Sequence, residues 1–173
     1  QMCIRDSMTI RPFLPYSDRR LHIPAEPVQA ITETVRMIWD DMIDTMDAMP
    51  GVGLAAPQIG IMLRLAVVDA SDKRGQAIRM ANPEVLHAST QMRAHDEASP
   101  NLPGVFARIE RPRAVTVRFL NDRAEIEDRD FVGLWATSVQ HQIDHLDGKL
   151  YVDHLTPLRR KMLVAKSAKL ARR

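Results

Sequence analysis

Apolar side chains recur three and four residues apart between positions 27 and 49, at Val28, Ile31, Val35, Ile38, Met42, Ile43 and Met46, with Asp40, Asp41, Asp44 and Asp47 set between them. That spacing puts one apolar stripe on one helical face and predicts a long amphipathic helix over 27–49. Pro50-Gly51 stops it, and Gly51-Val52-Gly53 opens a loop in which glycine permits close backbone approach. Farther along the pattern changes period. Residues 63–68 form an apolar run ending in β-branched Val67 and Val68 and predict a strand. Residues 77–81 and 85–88 predict two short strands broken at Asn82-Pro83, and 114–120 another, with Val115, Val117 and Phe119 on one face and a turn at Asn121-Asp122. Helical spacing returns over 131–146, ends at Gly148, and resumes at Pro157, a residue suited to a first helical position. A helix, then strands, then helices predicts an α+β domain rather than alternating βαβ units. There is no internal repeat and no low-complexity tract.

Composition narrows the class. A chain of 173 residues, 45% hydrophobic and 27% charged, suits one globular domain. No stretch approaches the roughly 20 apolar residues of a membrane span, and the charged, proline-rich first thirty residues do not read as a secretory signal. Met8 reads as a natural start, so 1–7 is expected to be a non-native or disordered extension and 8–173 the domain. The single cysteine, Cys3, falls in that extension, which leaves the domain without disulfides and predicts a cytoplasmic protein with no membrane association. Net charge is only +2, yet positions 156–173 carry Arg159, Arg160, Lys161, Lys166, Lys169, Arg172 and Arg173 and no acid, leaving the rest of the chain net acidic. Such a tail suits either an anionic partner or simply the C-terminal end of a helix dipole.

The segment His141-Gln-Ile-Asp-His145 carries the chemistry. Histidines at i and i+4 share one helix face and can aim ring nitrogens at one metal ion. In metallohydrolases built this way, the residue after the first histidine is a glutamate that takes a proton from metal-bound water. Here it is Gln142, whose carboxamide cannot accept that proton at neutral pH.

Three segments, Gly51-Val-Gly-Leu-Ala-Ala-Pro-Gln58, Glu97-Ala-Ser-Pro-Asn-Leu-Pro-Gly104 and Gln140-His-Gln-Ile-Asp-His-Leu-Asp-Gly148, together resemble the signatures of the peptide deformylase family, over about residues 21–170. The second corresponds to the family's Glu-Gly-Cys-Leu-Ser-(apolar)-Pro. The resemblance implies a deformylase-like α+β fold, with antiparallel strands around a central helix bearing the histidine pair, and a C-terminal helix. It implies His141 and His145 as ligands of a divalent iron or zinc, and Ser99 at the third ligand position, where the family has cysteine. It also implies Gln142 at the position of the catalytic base and Gln58 as a side chain that polarises the formyl carbonyl. Val52, Gly53 and Leu54 would pair with an extended peptide by their main chains. The same likeness implies N-terminal peptide segments as partners, and a ribosome contact through the basic C-terminal helix, as in bacterial deformylases.

Three departures bear on one reaction. A serine hydroxyl is a poor ligand beside a thiolate, Pro100 has no N–H to offer as the second carbonyl donor, and Gln142 is no base. Losing one oxyanion donor typically costs roughly 10²–10³ in rate. The expectation is a deformylase-like protein with weak or absent metal binding and deformylation impaired or lost. The alternatives are an active metal-dependent amide hydrolase with a modified metal shell, and a ribosome- or peptide-binding protein without catalysis. Thr137 and Ser138, polar where family members often carry apolar residues near the methionine pocket, weaken the expectation of a formyl-methionine ligand. Replacement ligands from His95, Asp96 and Glu97 are the lesser possibility, since Glu97 corresponds to a glutamate that supports the site.

Overall fold

In the computed structural model, residues 8–173 are described; 1–7, including Cys3 and the expected extension, lie outside them. The described residues form three α-helices and seven strands. Helix α1 is Glu33–Ala48, strand β1 Gly53–Ala55, β2 Leu65–Val68, β3 Ile78–Ala88, β4 Met92–Ser99, β5 Leu102–Pro112, β6 Ala114–Leu120 and β7 Ile126–Val132. Helices α2, Leu134–Leu146, and α3, Pro157–Ala171, complete the order. All strand pairs are antiparallel, in a five-stranded sheet ordered β1-β2-β3-β6-β7 and a separate β4-β5 hairpin. Among the described residues no helix is long and apolar enough to cross a membrane.

The first helix starts later than its periodicity suggests. Thr32 accepts a hydrogen bond from the Val35 amide and caps α1. Before that cap, both main-chain groups of Val28 are engaged by the side chain of Asn82, at 2.8 Å each. This pairing competes with a helical turn there. Asn82 also explains why β3 is one strand rather than two. It adopts a left-handed φ of 51° at a register shift between Ala81 and Glu84, so the missing amide of Pro83 falls in a bulge and pairing with β6 resumes beyond it.

Helix α1 packs Trp39, Met42 and Met46 on Leu54, Leu65 and Val67, and the Trp39 indole N–H is satisfied by the Met80 carbonyl. Val68, Met80, Val117, Phe119, Phe131, Ala136 and Val139 fill the space between the large sheet and α2. A third cluster, Leu21, Leu102, Val105, Ile109, Leu150, Tyr151 and Val152, anchors the hairpin and the approach to α3. Thus α2 lies at the centre, against β1, β2, β5 and β7. Its C-terminal turn closes on Gly148, at φ 78°, where a Cβ would come within 2.7 Å of the Ile23 backbone. Pro157 occupies the first turn of α3 and Thr156 caps it, as the sequence predicts.

Candidate active site

The inward face of α2 carries Thr137, Ser138, His141, Gln142 and His145, all buried. Strand β4 runs beside it. Alternation turns Arg93, His95, Glu97 and Ser99 to one face of β4. Two hydrogen bonds join that face to α2: Arg93 Nη1 donates to Thr137 Oγ1 at 3.1 Å, and His141 Nδ1 stands 2.8 Å from Glu97 Oε1. On the other side β1 rests directly on the helix. Ser138 Oγ donates to the Val52 carbonyl at 2.8 Å, and a Cβ on Gly53 would lie 2.5 Å from both Gln142 Nε2 and Ser138 Oγ. Only glycine lets strand and helix approach this closely. Between the walls lies a cleft of about 470 Å³, lined in part by Val52, Gly53, Gln58, Ser99, His141 and Gln142. Leu54 does not line it; its side chain is fully buried under α1.

Glu97 organises the floor. It takes a bidentate pair from Arg111 at 2.7 and 3.0 Å, and Arg111 continues to Asp144, which is bonded to His154 at 2.7 Å. Burial works against the Glu97 charge, but hydrogen bonds from His141 and Arg111, with their positive charges, outweigh it and hold its carboxyl down at about 2. In its neutral form, His141 bonded to an ionised Glu97 holds the ring proton on Nδ1 and presents Nε2 as a lone pair. That nitrogen lies 3.2 Å from His145 Nε2. Burial, followed by the nearby charges of His141 and Arg111 and opposed by Asp144, depresses the His145 basicity well below its ordinary value.

The pair has the spacing a shared ion would impose, because two nitrogens at about 2.0–2.1 Å from one tetrahedral ion stand roughly 3.3 Å apart. The third donor does not match. Ser99 Oγ donates to Asn101 Oδ1 at 3.1 Å and accepts from Gln58 Nε2 at 3.3 Å and the Asn101 amide at 3.4 Å. A hydroxyl has one proton and two lone pairs, so all its capacity is used. Among the described residues no group of three or more His, Cys, Asp or Glu is placed to hold a metal ion. Two imidazoles fit the family's metal; the complete donor set does not.

Gln58 is similarly engaged. Its Nε2 donates to Asn101 Oδ1 at 2.8 Å and to Ser99, while its Oε1 accepts from the Ala55 amide. Both amide protons thus face the Ser99 loop rather than the cleft. Asn101 in turn donates to the Leu14 and Gln58 carbonyls. Gln142 Oε1 and His145 Nδ1 are buried without a hydrogen-bond partner among the described residues.

The model of the polypeptide deformylase family matches residues 10–161. The chain belongs to this family. A peptide deformylase of Afipia carboxidovorans is 39% identical over 95% of this chain and 98% of its own length. A protein of Bradyrhizobium diazoefficiens named peptide deformylase-like is 41% identical, over 95% and 96%. The crystal structure of a peptide deformylase from Legionella pneumophila, 38% identical, superposes with a TM-score of 0.89 over 95% of this chain and 96% of that one. The deformylase α+β architecture expected from the sequence is therefore the observed one.

The structure brings together Gln58, Ser99, His141, Gln142 and His145, the residues that the family resemblance singles out. His95 and Asp96 line the cleft and make no hydrogen bond to the histidine pair, and Glu97 holds His141 from behind. Asn101, Arg111, Asp144 and His154 were not singled out in sequence. Asn101 had a signal, since it stands where the family motif has serine. Arg111 had none, because an arginine near a strand end ordinarily reads as solvated.

Proposed function

We propose that this deformylase-family chain binds N-terminal peptide segments in a retained cleft while its removal of the formyl group is impaired or lost. The observation that carries this reading is the closed hydrogen-bond cycle of Ser99, Gln58 and Asn101. It occupies both the third ligand position and the side chain that the family directs at the formyl carbonyl. Pro100 has no amide hydrogen, and Gln142 cannot take up a proton. Metal is held weakly or not at all.

What remains supports binding. Strand β1 ends the large sheet, so among the described residues one of its sides has no strand neighbour, and Val52 and Gly53 line the cleft beside it. An extended peptide added along that side needs only main-chain groups. We place the protein in the cytoplasm, with ribosome contact through α3, where exposed Leu158 and Met162 stand among Arg159, Arg160, Lys161 and Lys166. A second reading, an active hydrolase with a modified shell, is favoured by one observation, the 3.2 Å spacing of the histidine nitrogens.

The test is a zinc titration of the unchanged protein and of Ser99→Cys combined with Asn101→Ser, variants that restore the thiolate and break the cycle. Affinity should rise at least tenfold in the double variant. Equally tight, stoichiometric binding by the unchanged protein would show that Ser99 is available after all and favour the second reading.

A further inference from the structure

The cleft has a side wall that the reaction does not use. Thr137 and Ser138 precede His141 by four and three residues, about one helical turn or 5–6 Å along α2. They line the cleft together with His95, Val52 and Leu134. A side chain on the first residue of a peptide whose amino end lies at the histidine pair reaches this distance.

The wall is polar, and its charges do not balance. Arg93, on the same face of β4 as His95, makes no ion pair among the described residues, and its one hydrogen bond there is to Thr137 Oγ1. Four guanidinium N–H groups are left over. Because Thr137 accepts from Arg93, its own hydroxyl proton is free to turn outward. No hydrogen bond holds the His95 ring among the described residues. Of the nearby acids, Glu97 is held by Arg111 and His141, and Asp96, which also lines the cleft, alternates to the opposite face of β4, 3.8 Å from Arg108. Thr137 and His95 therefore present unused donors to the cleft, with the unpaired charge of Arg93 behind Thr137.

We propose that this pocket selects a carboxylate, so that the preferred ligand is a peptide whose first residue is acidic, with Arg93, Thr137 and His95 as its recognition groups. This deepens the peptide-binding reading above and rests on it. Thr137 Oγ1 donates to the carboxylate while Arg93, behind it, orients that hydroxyl and supplies the charge. Methionine at the same place would leave these donors unpaired and desolvated.

The experiment is isothermal titration of the full chain with the amides of N-formyl-Glu-Ala-Ser, N-formyl-Gln-Ala-Ser and N-formyl-Met-Ala-Ser. The glutamate peptide should bind about tenfold or more tightly than the methionine peptide, the scale of one charge-assisted hydrogen bond, with glutamine between them. Arg93→Met should abolish the preference and Arg93→Lys should retain most of it. The preference is a ratio within one protein, so an inactive fraction in a variant leaves it unchanged. Equal affinities, or tighter binding of the methionine peptide, in the unchanged protein would overturn the acidic preference while leaving the peptide cleft standing. A preference that survives Arg93→Met would overturn the assigned recognition groups. Binding of none of the three peptides would sink the peptide-binding reading itself, and the inference with it.

Discussion

Replacing Glu97 with glutamine should remove about 3 kcal/mol of stability at neutral pH. Its carboxyl lies at about 2 rather than the ordinary 4.5, because Arg111 and His141 bond its ionised form. A displacement of that size, at about 1.4 kcal/mol per pH unit, gives the figure. The sign follows from linkage. A depressed carboxyl contributes fully above its unfolded value, so the effect is complete by about pH 6 and is lost as pH falls from 4.5 through 2. Glutamine keeps the shape but has no charge, and it leaves Arg111 buried with only Asp144 as acid. Urea unfolding of both proteins from pH 7 to pH 2 reads the loss of this charge together with its coupling to His141 and Asp144. The two stabilities should differ by about 3 kcal/mol at pH 7, by less than half that at pH 3, and converge near pH 2. A difference under about 1 kcal/mol at pH 7, or one independent of pH, would refute the role given to Glu97 as the charged centre of the floor.

Two other outcomes follow from the same geometry. Gly53→Ala would force a Cβ within 2.5 Å of Gln142 and Ser138, so β1 must shift from α2 at a cost of about 1–3 kcal/mol, read by urea unfolding, with weaker binding of any peptide in the cleft. Reversing Arg159, Lys161 and Lys166 to glutamate on the outer face of α3 should abolish ribosome co-sedimentation at low salt without lowering the melting temperature by more than a few degrees; unchanged co-sedimentation would remove the ribosome contact from the account.

Strand β2, buried on both faces, was legible as a short apolar, β-branched run, and other elements were legible where one face is wet and one dry. Strand β6 agrees with its predicted span, and α2 ends at the predicted residue, because each turns alternating or helically spaced apolar groups to a core. Strand β4 gave no such signal. Its inward face is Arg93, His95, Glu97 and Ser99, so the very residues that build the site erase the apolar alternation by which strands are read. β7, an edge strand of alternating charges pairing with β6 through Asp128 and Asp130, was silent for a different reason. The site was legible as far as a motif carries identity, at Gln58, Ser99, His141, Gln142 and His145. What no motif contains is the direction of a hydrogen bond. Gln58 is the residue the family resemblance expects, but Asn101 turns its amide protons away from the cleft, and only the fold brings these two side chains together.

On the reading proposed above, the Ser99–Gln58–Asn101 cycle, with Pro100 and Gln142, leaves the site unable to remove a formyl group efficiently. The most direct measurement is turnover of a formyl-peptide series by the unchanged chain, supplied in turn with iron, zinc, nickel and cobalt, beside the Legionella pneumophila relative under the same conditions. For every peptide and metal, kcat/KM should lie at least a thousandfold below that of the relative. Turnover within tenfold of it, for any one combination, would contradict the account.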